Sequence, residues 1–358
     1  MTQWPDRRIL ALFGIDVPIL LAPMAGPGSP ELAVAVGTAG GLAALPCALL
    51  TPEQLRANLD AVRPALAGRP LNLNFFCHTP PQPDPQRALR WRARLAPYYL
   101  ERGLDPEAPI PAGGRAPFDD AFCTIVEAER PKVVSFHFGL PEADLLARVK
   151  ATGAKVISSA TCVAEAVWLE QHGCDAIIAM GLEAGGHRGH FLSDDLNRQS
   201  GTFALVPQVA DAVSVPVIAA GGIADARGIV AALALGAAAV QIGTAYLFSP
   251  EANVLPVHRA ALAVADDQST ALTNLFTGRP ARGVMNRVMQ EIGPLSPDAP
   301  SFPLASGALA PLRAGAEAEG SNAFSNLWSG QAARLARHLP AGELTRRLAA
   351  EALEKLAR

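Results

Sequence analysis

The sequence predicts an α/β protein: a TIM (β/α)8 barrel with a smaller, mostly helical second domain. Three observations support this fold. Eight short apolar runs recur in the first 245 residues, most of them without polar alternation, which is typical of parallel strands buried on both faces. Helical patterns separate most of these runs. Half of the 358 residues are apolar, enough for a large core and a smaller second unit.

The strand and helix patterns alternate along the chain. Residues of Pro52–Leu66 repeat apolar side chains at helical spacing, and Thr51 is a plausible N-cap before Pro52. The stretches 141–151, 163–172 and 226–235 show similar patterns. Eight strand–helix units in a row favour a closed barrel over an open doubly wound sheet. The expected strands cover residues 19–24, 42–47, 71–77, 133–138, 155–160, 176–181, 216–222 and 239–244.

Two stretches depart from this alternation. Residues 79–131 are proline-rich and charged, and residues after about 262 form helices and loops that end in an amphipathic helix, Ala341–Leu356. A long insertion within a barrel usually has a functional reason. We therefore expect a barrel of residues 1–79 and 128–262, covered by a helical lid and substrate domain of residues 80–127 and 263–358. The alternative is two independent peripheral additions.

Composition excludes several classes of function. A formal net charge of −3 gives no basic surface for nucleic acid or an anionic membrane. The five cysteines form no CxxC pair, so reduced thiols are expected and no metal site. The chain has no apolar run of eighteen residues and no export-signal pattern. These features indicate a cytoplasmic monomer or homodimer that acts on small molecules, without membrane or nucleic-acid partners.

Glycines at the ends of the last two expected strands predict a phosphate site. Ligands of such barrels bind at the carboxyl ends of the strands, with phosphate often after strands seven and eight. Glycine allows backbone N–H groups to approach phosphate oxygens closely, and the following helix N-terminus favours negative charge. Thr244 offers a hydroxyl, and Gln241 offers an amide for a ring edge. The candidate residues are Ala220, Gly221, Gly222, Gln241, Gly243 and Thr244.

The least ordinary stretch follows the sixth expected strand and contains His187 among glycines. A neutral imidazole at the barrel mouth can accept a proton, and a protonated one can hold an anion. His137, at the end of the fourth strand, is expected to face the same mouth, although it could equally be a hydrogen-bonded core residue. Arg188 could pair with an acidic neighbour. The candidate loop residues before His187 are Glu183, Ala184, Gly185 and Gly186.

Other strand ends add polar or soft apolar groups to the same rim. Asn74 interrupts an apolar run on the third strand, so a bound heterocycle or the neighbouring backbone must satisfy its amide. Ser159 adds a hydroxyl from the fifth strand. The first strand ends in Ala22, Pro23 and Met24, which could line the edge of a flat ring.

These motifs resemble the nitronate monooxygenase family, formerly called 2-nitropropane dioxygenases, and the bacterial class I branch in particular. The similarity runs along nearly the whole chain, and Glu-Ala-Gly-Gly-His-Arg-Gly is its most specific element. The glycine pairs are shared with many phosphate-binding barrels. The segments that carry the resemblance are 22–26, 136–139, 183–189, 220–223, 241–244 and 327–331.

The resemblance implies non-covalently bound FMN and the oxidation of alkyl nitronates by molecular oxygen, a detoxifying reaction. It implies propionate 3-nitronate as a favoured substrate, giving malonic semialdehyde with nitrite and nitrate. It makes His187 the active-site histidine, with His137 as a second polar wall residue. Family members carry tyrosines and a lysine in the C-terminal lid, whereas residues 301–309 contain neither. Arg279, Arg282 and Arg313 are candidates to replace them as anion-holding groups.

Two other functions remain open from the sequence. One is an FMN-dependent NAD(P)H reductase of quinones or enoyl thioesters, since such enzymes share the phosphate-binding glycines. The other is a non-catalytic protein that binds FMN or a phosphorylated metabolite. Rapid flavin reduction by NADH would indicate the first, and normal flavin content without turnover would indicate the second.

Overall fold

The computed structural model describes residues 3–110 and 116–358, so residues 111–115 of the expected lid lie outside it. The strands in chain order are β1 (Ile19–Leu21), β2 (Ala43–Pro46), β3 (Leu71–Phe76), β4 (Val133–His137), β5 (Lys155–Ala160), β6 (Ala176–Met180), β7 (Gly186–His187), β8 (Val217–Ala220), β9 (Ala239–Ile242), β10 (Thr270–Thr273) and β11 (Ala281–Val284). The helices are α1 (Arg8–Phe13), α2 (Pro30–Thr38), α3 (Pro52–Leu66), α4 (Pro85–Glu101), α5 (Asp120–Glu129), α6 (Ala143–Ala151), α7 (Val163–Gln171), α8 (Thr202–Ala212), α9 (Ala226–Ala234), α10 (Pro256–Val264), α11 (Arg287–Ile292), α12 (Ser306–Ala318) and α13 (Ala341–Leu356). Short 3₁₀ turns cover Leu196–Arg198, Thr244–Phe248 and Ala333–Leu335.

Eight parallel strands form the predicted barrel. Their hydrogen-bonded order is β1-β9-β8-β6-β5-β4-β3-β2. A parallel bridge between Leu20 and Leu42 joins the two ends of this order, so the sheet closes on itself. The strands are buried almost throughout, which agrees with their apolar sequences. The predicted TIM barrel is confirmed.

Local signals place the third helix correctly. Thr51 accepts a hydrogen bond from the Gln54 N–H, and the Gln54 side chain accepts one from the Thr51 N–H, forming a capping box. The observed bounds, Pro52–Leu66, are those that the sequence predicts. No helix among the described residues is long and apolar enough to cross a bilayer.

Most of the strands expected from the sequence end one or more residues later than the strands in the structure. The first was expected at 19–24 and ends at Leu21, and the seventh was expected at 216–222 and ends at Ala220. The physical reason is visible after β8, where Gly221 and Gly222 adopt φ of 113° and 71°. Extended backbone cannot continue through these values, so the chain turns across the barrel mouth. The residues that the sequence assigns to strand ends therefore belong to loops at the rim.

A second, three-stranded sheet corrects the expectation of only helices and loops after residue 262. Strands β10 and β11 pair antiparallel, and β11 also pairs with β7, which lies in the glycine-rich stretch of residues 183–190, the histidine loop. The register sets Ala281 opposite His187 and Arg282 opposite Gly186. A strand of two residues has no sequence periodicity, which is why β7 escapes detection. This sheet joins the C-terminal region to the barrel rim.

The insertion after β3 and the C-terminal region share a small core of their own. Helix α4 packs against α12, and the Tyr99 hydroxyl donates to the Ala308 carbonyl at 2.6 Å. Trp91, Leu95, Leu309 and Leu312 are buried in this cluster. This packing favours one joint unit over two separate additions. The exact division into domains stays a prediction.

Two helices assigned by sequence to the second unit pack instead with the barrel. The buried residues of α5 join the barrel core. So do Leu344 and Leu348 of α13, which packs against α2 and α9. The core that α4 and α12 share therefore excludes α5 and α13, although both helices lie at least partly within the expected ranges 80–127 and 263–358.

Leu348→Ala should lower the free energy of unfolding by about 2–5 kcal/mol, because it leaves a cavity in the barrel core. Urea titration followed by circular dichroism measures this loss. Leu100→Ala on α4 is the matched control, since Leu100 is 68% exposed, and it should change stability by less than about 0.5 kcal/mol. Equal losses for the two variants would contradict the packing of α13 on the barrel.

Candidate active site

A cavity lies at the carboxyl ends of the barrel strands and collects nearly all of the expected site residues. Glycines line one part of it and histidines another. The predicted residues in its wall are Ala22, Pro23, Met24, Asn74, His137, Ser159, Ala184, Gly185, Gly186, His187, Ala220, Gly221, Gly222, Gln241, Gly243 and Thr244. Glu183 is the exception, because its side chain turns to a helix N-terminus.

His187 occupies the short strand β7 and lines the cavity. Its Nε2 lies 2.9 Å from the Thr277 hydroxyl, which belongs to the turn between β10 and β11. Its ring packs near Phe302 and Trp328, with centroids 5.3 and 5.4 Å away. One edge of the imidazole therefore has a polar contact with the second sheet, while aromatic rings enclose its faces.

His137 also lines the cavity, at the end of β4, and both of its nitrogens have protein partners. Nδ1 lies 2.5 Å from the Ser159 hydroxyl, and Nε2 lies 3.1 Å from the His187 carbonyl oxygen. Burial lowers the pKa of His137 to about 3, and the charge of Arg279 acts in the same direction. The sequence left open whether His137 is a core or a site residue; it lies in the cavity wall.

Arg188 and Glu183 anchor the histidine loop to the end of β6 and to the start of α8, respectively. The fully buried Arg188 guanidinium donates to the carbonyls of Gly181 and Met180, at 2.7 and 2.8 Å. It therefore ties the loop to the end of β6, and its hydrogen-bond partners in the described part of the chain are two carbonyls and the Gln199 side chain, not a carboxylate. Glu183 accepts the N–H of Thr202 at 2.8 Å and its hydroxyl at 2.9 Å, at the start of α8. A carboxylate at a helix N-terminus is stabilised by the exposed N–H groups there.

Sequence reasoning missed Glu165, a buried carboxylate on α7. It accepts the backbone N–H of Phe191 at 2.7 Å and of Leu192 at 3.2 Å, just beyond the histidine loop. It also accepts both donors of Thr161. Its four hydrogen bonds fix the exit of the loop. An acidic residue in a helix pattern gives no sequence signal for this role.

The glycine part of the cavity is tightly built. A Cβ atom on Gly221 would lie 2.9 Å from the Thr202 hydroxyl and 3.0 Å from the Ala184 nitrogen. The Thr244 hydroxyl oxygen accepts the Gly330 N–H at 2.9 Å. These contacts leave space at the rim for a ligand but not for side chains at Gly221.

Two amide side chains differ in their hydrogen bonding. Asn74 donates from Nδ2 to the Ser135 hydroxyl at 2.9 Å, so protein groups engage its amide nitrogen. The Oε1 atom of Gln241 is buried in the cavity wall and has no hydrogen-bond partner among the residues that the structure describes. An unsatisfied buried acceptor is costly unless a ligand donor meets it. Gln241 Oε1 therefore fits a heterocycle that presents an N–H group.

An aromatic cluster beside His187 was not predicted, and two of its members, Phe76 and Trp328, line the cavity. Phe76, Phe138 and Phe302 pack together, with ring centroids of Phe138 and Phe302 5.5 Å apart. Phe302 comes from the second unit and Phe76 from β3, so no local motif links them. Trp328 packs against His187 on one side of this cluster and also against Phe276. Trp328 lies in the family-like segment 327–331, whose resemblance was the available signal.

The three candidate arginines lie in different surroundings. The Arg279 guanidinium carbon lies 4.2 Å from the centre of the Phe138 ring, and its donors reach the carbonyls of Arg188 and His190. Arg282 donates to the Leu182 carbonyl at 2.8 Å. Arg313 donates to Asn326. None of these three arginines is among the described residues that line the cavity.

His258 forms a hydrogen bond to the backbone of Trp328. It is buried on α10, and its Nε2 lies 3.1 Å from the Trp328 carbonyl oxygen. Because a carbonyl only accepts, Nε2 carries the proton. Burial lowers the pKa of His258 to about 4.

Comparison with known proteins gives one consistent family. The family model described as nitronate monooxygenase matches residues 6–351. A nitronate monooxygenase of Paraburkholderia phytofirmans is 42% identical over 98% of this chain and 96% of its own length. One from Pseudomonas aeruginosa is also 42% identical, over 96% of this chain and 98% of its own length.

Solved structures extend the similarity. A nitroalkane oxidase from Streptomyces ansochromogenes superposes with a TM-score of 0.88 at 38% identity, covering 98% of this chain and 99% of its own. FabK from Thermotoga maritima superposes with a TM-score of 0.73 at 29% identity, covering 98% and 97%.

The buried His258 should make stability fall with acid. Its unfolded pKa is near 6.5 and its folded pKa is about 4, so below pH 6.5 the unfolded state binds more protons and folding loses free energy. Between pH 7.5 and 5 this site alone should cost about 2 kcal/mol. Urea titrations at both pH values measure it. His258→Gln keeps a donor for Trp328 and should reduce the pH dependence by that amount; an unchanged difference would contradict a neutral buried His258.

Proposed function

Because the chain belongs to the nitronate monooxygenase family, we propose that it uses FMN and molecular oxygen to oxidise alkyl nitronates to carbonyl compounds, with release of nitrite and nitrate. The family is one of flavin-dependent oxidoreductases. We further propose propionate 3-nitronate as a substrate, as the sequence resemblance implies.

The observation that carries this proposal is a cavity with two chemically different parts. One part is lined by Gly221, Gly222 and Gly243, and the other by His187 and Trp328. The first suits a phosphate, since backbone N–H groups can approach its oxygens where no Cβ intervenes. The second suits a small anion next to an imidazole. A phosphorylated cofactor and a small substrate can therefore occupy neighbouring positions.

The residues present fit a flavin. Gln241 Oε1 is buried and finds no partner within the described part of the chain, and the isoalloxazine edge offers an N–H group. Ala22, Met24 and Ala184 supply apolar walls for a flat ring. Gly221, Gly222 and Thr244 would hold the phosphate. When bound, FMN would take electrons from the nitronate and transfer them to oxygen.

The proposed oxidation of a nitronate needs little acid–base catalysis by the protein. A nitronate is already deprotonated, so no strong base is needed to remove a carbon-bound proton. The residues must hold the anion and orient it. His187, whose Nε2 lies 2.9 Å from the Thr277 hydroxyl, would lie beside the nitronate and help to orient it. Phe76 and Trp328 would exclude water from that part of the cavity.

Oxygen uptake by the purified protein tests this function directly. The bound flavin is first released by denaturation and identified by chromatography as FMN or another flavin. Propionate 3-nitronate and NADH are then supplied in separate reactions. Uptake with the nitronate and none with NADH supports the proposal. Flavin bleaching by NADH without nitronate turnover would favour a reductase, and bound flavin without either reaction would favour a binding protein.

His187→Asn should retain flavin but lose most nitronate turnover, a drop in kcat/KM of about 10²-fold or more. The change removes the imidazole while keeping a small polar group in β7. His172→Asn is the matched control, because His172 is exposed at the carboxyl end of α7. Steady-state oxygen consumption and flavin absorbance measure both effects. Undiminished turnover in His187→Asn would remove this residue from the mechanism.

A further inference from the structure

We propose that His137 is a positioning residue, a permanently neutral imidazole whose Nε2–H holds the His187 carbonyl and so fixes the backbone that carries the active-site imidazole. This role differs from proton transfer to or from substrate. The inference rests on the proposed function only for its kinetic test, since the tautomer can be measured directly.

The hydrogen bonds of His137 allow one neutral tautomer. Its Nε2 lies 3.1 Å from the His187 carbonyl oxygen, and a carbonyl oxygen can only accept. Nε2 therefore carries the proton. Nδ1 is then the acceptor, and the Ser159 hydroxyl at 2.5 Å donates to it. Ser159 acts on His187 through this chain, by fixing which nitrogen of His137 is the donor.

The loop backbone packs directly against the pair. A Cβ atom on Gly189 would lie 2.6 Å from the Ser159 hydroxyl and 2.8 Å from Cε1 of His137. The loop thus approaches both side chains more closely than any other residue type permits. This contact and the carbonyl hydrogen bond both depend on His137 keeping one orientation.

Charges around His137 oppose protonation. Among the described residues, the charged Arg279 faces it from the turn after β10, and the charged Arg188 faces it from the histidine loop, as does His190, which burial keeps neutral. Burial is the largest cause that lowers the pKa of His137, to about 3. A second proton would also have to displace the Ser159 donor from Nδ1. His137 therefore stays neutral across the pH range in which the enzyme would work.

The hydrogen bond from His137 to the His187 carbonyl restrains the backbone independently of the pairing between β7 and β11. His187 lies opposite Ala281 in the second sheet, while its carbonyl oxygen contacts His137 from the barrel. The backbone at His187 is consequently held by both units. Loss of the His137 donor would leave the carbonyl in the cavity wall without this partner and free the loop to shift.

Histidine-selective ¹⁵N labelling tests the tautomer without reference to activity. The chain has seven histidines, and the signals absent from His137→Gln identify His137. We expect one protonated nitrogen, Nε2, and one unprotonated nitrogen, Nδ1, unchanged from about pH 5.5 to 8.5. A midpoint within that range, or a proton on Nδ1, would overturn the proposal.

Two substitutions separate positioning from proton transfer. His137→Gln keeps an N–H donor that can reach the His187 carbonyl, whereas His137→Leu has similar bulk and no donor. We expect kcat/KM for the nitronate to fall about tenfold to hundredfold in His137→Leu, with substantial rescue in His137→Gln. The pH dependence of the remaining activity should keep the wild-type midpoints in both. His172→Gln controls for the exchange itself.

The opposite pattern would overturn the inference: equal loss in both variants together with disappearance of a limb of the pH profile identifies His137 as an acid–base group. Flavin content and circular dichroism show whether each variant folds. If wild-type protein does not turn over nitronates, the proposed function fails while the ¹⁵N measurement still decides the tautomer. The two conclusions are thus tested independently.

Discussion

The pairing of two residues, Gly186 and His187, with Ala281 and Arg282 is the constraint on which the site depends. A loop at a barrel mouth would otherwise have many accessible conformations, and fixing each backbone residue costs about 1–2 kcal/mol. Here the second sheet supplies backbone hydrogen bonds on one side. Arg188 supplies two more from its side chain to the end of β6. The histidine loop is therefore held both by the barrel and by the second sheet.

The charges that hold this loop are bound mainly to carbonyl oxygens. Arg188 and Arg279 both donate to backbone carbonyls, and burial lowers the pKa of each to about 10. Carbonyls stabilise a guanidinium by dipole without cancelling its charge. Two positive groups therefore remain close to the histidine part of the cavity. This surrounding opposes protonation of His137 and His190.

Much of the fold could be predicted because the buried strands of a parallel barrel are apolar along their whole length and recur at regular intervals in the sequence. The run at Lys155–Ala160 and the helix Pro52–Leu66 match the structure at both ends. Strand ends could not be predicted, because Gly221 and Gly222 look like a continuation of β8 until their positive φ values are known. The glycine and histidine residues of the cavity were predictable from type and position. Glu183 was not, since a carboxylate beside glycines gives no sign that it binds the N-terminus of α8.

The residues that sequence reasoning missed share a physical property: they act through contacts between distant parts of the chain. Thr277, Phe302 and Trp328 all reach His187 from the C-terminal region. The barrel supplies the glycines, the amides and the histidines, whose motifs are local. The second unit supplies the groups that surround the imidazole and depends on β11 to bring them there. The C-terminal region therefore shapes the histidine part of the cavity, and through the Gly330 N–H it also contacts Thr244 in the glycine part. For the proposed function, this means that the fit of the substrate beside His187 would depend on the C-terminal region, whereas most contacts to the cofactor would come from the barrel.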